Sequence, residues 1–79
     1  VQLEIRLYAT LRQYAPPGSI AGVFSLELPE GKTVDALAET IGICPDKVHM
    51  RMVNGIGVAG SHHLKDHDRV GLFPPVGGG

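Results

Sequence analysis

The alternation of the first nine residues, VQLEIRLYA, constrains this chain more than any other feature. Val1, Leu3, Ile5 and Leu7 fall on one side, and Gln2, Glu4, Arg6 and Tyr8 on the other. A period of two with one apolar side is a half-buried strand, and its apolar side needs a cover. The segment Val34-Asp35-Ala36-Leu37-Ala38-Glu39-Thr40-Ile41 offers one, because Val34, Leu37, Ala38 and Ile41 recur at helical spacing. Thr33 is expected to cap this helix, Asp35 suits its first turn, and Gly42 is its stop. One short helix must therefore cover a whole sheet.

The remaining signals supply that sheet. Pro16-Pro17-Gly18 ends a helical turn expected over Thr10–Tyr14, with Thr10 as its cap. Val23–Leu28 reads as a second strand with Phe24, Leu26 and Leu28 on one face, and Pro29-Glu30-Gly31 turns the chain. After a connector at Cys44–Lys47, Val48–Val53 reads as a third strand, closed by the hairpin dipeptide Asn54-Gly55. Ile56–Ala59 is a short return, Gly60–Asp68 a polar loop and Arg69–Phe73 a last strand. This order predicts an α+β fold of the β-grasp, ubiquitin-like type: a four- to five-stranded mixed sheet packed on one main helix. The first and last strands are expected to be parallel neighbours at its centre.

Seventy-nine residues allow one domain, here residues 1–73, followed by a Pro-Pro-Val-Gly-Gly-Gly tail over 74–79. A body this small has little room for an enzyme-sized pocket, so a carried or modified protein is expected rather than a catalyst. Seven Lys+Arg against eight Asp+Glu give a net charge of −1, which argues against a nucleic-acid partner. No apolar run reaches the ~18 residues of a membrane span, and no signal-peptide pattern opens the chain. With a single cysteine there is no internal disulfide, and a cytoplasmic protein is expected.

The tail carries the chemistry. Pro74-Pro75 stops strand pairing and stiffens the exit, while Gly77, Gly78 and Gly79 have no side chains to offer. The functional group they present is the carboxylate of Gly79. Val76–Gly79 reaches at most about 14 Å, at ~3.5 Å per residue, and can enter a narrow tunnel in a partner. Adenylation by ATP would turn this carboxylate into a mixed anhydride, which a sulfur nucleophile converts to a thiocarboxylate. Composition alone leaves this reading level with that of a flexible tail.

Leu72-Phe73-Pro74-Pro75-Val76-Gly77-Gly78-Gly79, preceded by Leu64-Lys65-Asp66-His67-Asp68-Arg69-Val70, resembles the end of the MoaD/ThiS sulfur-carrier family. Tyr8-Ala9-Thr10-Leu11-Arg12, Leu28-Pro29-Glu30-Gly31-Lys32-Thr33-Val34 and Val53-Asn54-Gly55 match it in the same order. The chain is more similar to the molybdopterin synthase small subunit than to the thiamine-pathway carrier. The resemblance implies a carrier whose Gly79 is adenylated by a ubiquitin-activating-type enzyme using ATP, with no cofactor of its own. It also implies docking on the molybdopterin synthase large subunit, with Phe73, Pro74, Pro75 and Val76 as contact candidates. The same tail would serve sulfur transfer to thiamine, cysteine or tRNA, or a ubiquitin-like modifier joined to lysines. One departure is Asp66-His67-Asp68, where the family often has Asp-Gly-Asp; a left-handed turn there would cost His67 more than glycine.

Other reactive side chains receive plainer readings. His62, His63 and His67 read as solvated loop residues, with His49 apart from them, and no metal site is expected. Cys44 is expected to be a small buried thiol, and Glu27, Glu30, Asp35 and Glu39 a solvated acidic surface. Phe73 is out of phase with Val70 and Leu72, which puts it on the outward face of the sheet as a docking candidate, with core packing as the competing reading.

Overall fold

The computed structural model describes residues 1–75, and in it the opening alternation forms β1, Gln2–Leu7. The other strands are β2 (Val23–Glu27), β3 (Met50–Val53), β4 (Ile56–Val58) and β5 (Arg69–Phe73). They form one five-stranded sheet in the order β2-β1-β5-β3-β4. β1 and β5 run parallel at its centre, with Ile5 opposite Val70 and Leu7 opposite Leu72, and the other neighbours are antiparallel. This is the expected β-grasp sheet.

Leu3, Ile5 and Leu7 of β1 meet Val70 and Leu72 of β5 beneath the helix α1, Val34–Ile41, which contributes Val34, Leu37 and Ala38 to the core. The helix ends where its chemistry dictates. The Thr33 Oγ1 accepts the Ala36 N–H at 3.1 Å, and Gly42 turns left-handed at φ 100°, donating to the Ala38 and Glu39 carbonyls. Eight residues cannot cover five strands, so irregular segments close the gaps. Leu11, Leu28, Ile43, Val48 and Leu64 are all buried, each from outside a strand. No helix among the described residues is long and apolar enough to cross a membrane.

Several local expectations need correction. The turn after β1 is a 3-10 helix over Ala9–Tyr14, begun by Tyr8 without a side-chain cap, so Thr10 lies inside it and caps nothing. Val48 and His49 precede β3, because the 3-10 turn Pro45–Lys47 closes on Val48, whose N–H donates to Pro45. Cys44 is exposed, not buried: Ile43 takes the inward position, and Cys44 starts that turn. Asp35 is also not simply solvated. Its carboxylate receives Arg51 Nε at 3.0 Å while Arg51 Nη2 donates to the Pro45 carbonyl, tying α1 to β3; Glu27, Glu30 and Glu39 are exposed as expected.

Candidate functional site

The tail leaves from the end of β5, and its root is fixed from both sides. On one side Tyr8 donates its N–H to the Leu72 carbonyl at 3.2 Å; on the other His49 donates its N–H to the Phe73 carbonyl at 2.7 Å. Phe73 faces outwards, as its phase predicts, and is half-buried because its ring lies flat on Tyr8, centroids 4.1 Å apart and planes within 6°. Met50, its partner across the β3–β5 pair, is 48% exposed. Of the two prolines, Pro74 is buried and Pro75 exposed, so Pro74 anchors the exit. Val76, Gly77, Gly78 and Gly79 lie outside the described residues.

The opposite end of β5 is locked by polar groups that the sequence does not advertise. Asp68 is buried, with one carboxylate oxygen accepting Asn54 Nδ2 at 2.9 Å and the other the Lys65 N–H at 2.8 Å. Asn54 in turn accepts the Arg69 N–H on its Oδ1 and donates its own N–H to the Arg69 carbonyl. The hairpin dipeptide thus has a second duty beyond turning the chain. Its conformation, φ 53° at Asn54 and 81° at Gly55, is the twist-matched turn expected, and it aims the Asn54 side chain at β5. Only the spacing of an Asn and an Asp fourteen positions apart carries this signal, and that spacing is silent until the topology is known.

Next to this lock, the Asp66-His67 turn caps the start of β1. The Asp66 carboxylate accepts the Gln2 N–H at 2.7 Å, and this bond holds its pKa below the usual carboxylate value. His67 sits at φ 67°, the left-handed position anticipated for a residue standing where glycine is easier. His49, His62, His63 and His67 are all exposed. Among the described residues no three His, Cys, Asp or Glu side chains are grouped to hold a metal ion.

The outward face between these ends is a shallow depression floored by β5 and walled by Arg6, Tyr8, Met52, Asn54 and Phe73. Its half nearest the tail is aromatic and thioether; the other half is polar. Arg6 is tied to Glu4 at 2.9 Å, whereas Arg69 forms no ion pair among the described residues. No nucleophile–base pair lines it, so what the arrangement offers is a contact surface beside a tail.

The sequence profile of the ThiS family matches residues 5–79. No curated protein sequence matches. Among solved structures, the putative molybdopterin converting factor subunit 1 from Pyrococcus furiosus is similar at 32% identity over 96% of this chain and 99% of that one, with a TM-score of 0.71. Small archaeal modifier protein 1 of Haloferax volcanii shares the fold, at 23% identity over 95% and 98% of the two chains and a TM-score of 0.72. A chain of the complex of subunits 1 and 2 of the molybdopterin-converting factor from Helicobacter pylori shares it too, at 22% identity over the full length of both and a TM-score of 0.56.

Proposed function

As the chain belongs to the ThiS family of small ubiquitin-like sulfur carriers, we propose that its Gly79 carboxylate carries sulfur as a thiocarboxylate, for molybdenum cofactor biosynthesis. The observation that carries this reading is the rigid root of the tail: a central strand locked at Asp68 and held at Phe73 launches Pro75 outward from a fixed point. Similarity to the Pyrococcus furiosus protein supports the molybdopterin branch over other sulfur acceptors.

In this reading a ubiquitin-activating-type enzyme binds the body and holds ATP. A Gly79 carboxylate oxygen attacks the α-phosphorus and pyrophosphate leaves. Hydrosulfide then attacks the acyl carbon, AMP leaves, and the thiocarboxylate remains. The large subunit of molybdopterin synthase receives the tail, and the sulfur passes to the pterin precursor there. This chain supplies no catalytic side chain. Its contribution is reach and position, and a misplacement of ~1 Å at the reacting atom is enough to lower a rate on the order of a hundredfold. Tyr8, Met50 and Phe73 are the docking surface for both partners, with Pro75 at its edge.

Mass spectrometry tests the reading. With the activating enzyme of the same organism, ATP and sulfide, the C-terminus should gain about 16 Da, the difference between oxygen and sulfur. Removing Gly79 leaves a carboxylate about 3.5 Å short and should abolish the gain without affecting folding. No gain with a demonstrably active enzyme, or an equal gain in the deletion, defeats the proposal; lysine conjugates in place of it would assign the tail to protein modification.

A further inference from the structure

Gly71 is the central residue of the central strand, with Arg6 beside it on β1 and Met52 on β3. Most glycines of this fold have an evident reason. Gly42 and Gly55 sit at positive φ, Gly22 does so too and would drive a Cβ into the Leu7 carbonyl, and a Cβ on Gly60 would collide with the Asp35 carboxylate. Gly71 and Gly57 have neither reason, and of the two only Gly71 lies in the central strand and lines the depression. Its φ is not in the left-handed range, and a Cβ there would meet Tyr8 Cε2 at 3.4 Å, Phe73 Cε1 at 3.6 Å and Met52 Cβ at 4.0 Å, all at ordinary contact distance. Glycine inside a strand adds unfolded-state entropy and packs nothing, so the isolated domain would be better served by alanine.

What glycine supplies is a bare backbone floor between the stacked Tyr8–Phe73 rings and Met52. A glycine within a strand commonly marks a close approach by another molecule. We infer that Gly71 is a specificity-determining contact: a protein partner seats an apolar side chain on this floor, and a carboxylate next to that side chain pairs with Arg69. The charge argument rests on Arg69 alone, since Glu4 already neutralises Arg6. The floor is continuous with the root of the tail, because Phe73 lies two residues farther along the same face. The inference rests on the reading that this face docks the partner, and adds which residues select it.

The test uses the full chain and, as probe, the large subunit of molybdopterin synthase from the same organism. Thermal unfolding and calorimetric titration are run on the wild type, Gly71→Ala, Arg69→Glu and Phe73→Ala. Gly71→Ala should unfold at the same or a higher temperature yet bind at least tenfold more weakly. Arg69→Glu should weaken binding severalfold and reduce its salt sensitivity. A clear fall in the unfolding temperature of Gly71→Ala would show that the glycine serves the fold, and would overturn the inference. Unchanged affinity in Gly71→Ala, with Phe73→Ala impaired, would overturn it while leaving the docking face intact. Unchanged affinity in both would remove the docking face and the inference with it. A wild type that dimerises in sedimentation, with Gly71→Ala monomeric and its affinity for the large subunit unaltered, would overturn it by making the occupant a second copy.

Discussion

Along β5, Val70 and Leu72 point into the core with no measurable exposure, while Arg69, Gly71 and Phe73 turn the other way. One strand thus carries two faces with different requirements. The inward residues are branched, apolar and closely packed against β1 and α1. The outward residues are a cation without an ion pair among the described residues, a glycine without a conformational need and an aromatic ring stacked on another. Stability alone would not have chosen the glycine, because strands favour β-branched and aromatic side chains and disfavour glycine. The difference separates what this fold needs in order to exist from what it presents.

The sharpest way to break that division is at Leu72. Leu72→Ala should lower the unfolding free energy by about 2–5 kcal/mol, the usual range for a buried leucine, as read by urea denaturation. Next comes the polar lock. Asn54→Ala removes the side chain that binds Asp68 and the Arg69 N–H, leaves a buried carboxylate oxygen short of a donor, and should cost about 1–3 kcal/mol. Phe73→Ala on the outward face should cost only about 1 kcal/mol, the stacking with Tyr8 being the main loss. An effect as large as that of Leu72→Ala would erase the contrast between the faces.

The smallest effect concerns acid. The Asp66 carboxylate is held below its ordinary pKa by the Gln2 N–H, so its contribution is complete above the unfolded-state value and is lost as the pH falls through the folded one. Urea midpoints should therefore fall below about pH 4, and Asp66→Asn should shallow that fall. An acid limb unchanged by the substitution would show that the Gln2–Asp66 bond contributes nothing to it.

What the sequence revealed of this division follows from the range of each signal. Thr33, Gly42 and Asn54-Gly55 act within a few residues of themselves, so the helix ends and the hairpin were readable from local chemistry. The period-two pattern of β1 and the phase of Phe73 placed the inward and outward sides correctly. Leu11, Ile43 and Leu64 carry no sequence sign of their burial, because they lie in irregular segments with no period to betray them. The burial expected of Cys44 fails for the same reason: no period in the connector shows that Ile43 takes the inward position. The Asn54–Asp68 lock and the Asp35–Arg51 pair needed the strand order before either could be seen. Nothing local in the sequence marks Gly71, because the room for a Cβ there is set by Tyr8, which follows β1, and by Met52 on β3.

The parallel pairing of β1 and β5 has a consequence for the life of the chain before it meets any partner. Of the described strands β1 is made first and β5 last, yet each is the other's neighbour. Such distant pairing makes closure of the sheet wait until β5 has been made. A nascent chain halted before Arg69 has β1 and β3 with no strand between them, and its core leucines stay exposed. Synthesis is thereby proofread by topology: a closed sheet arises only on chains that have already been read through to the base of the tail.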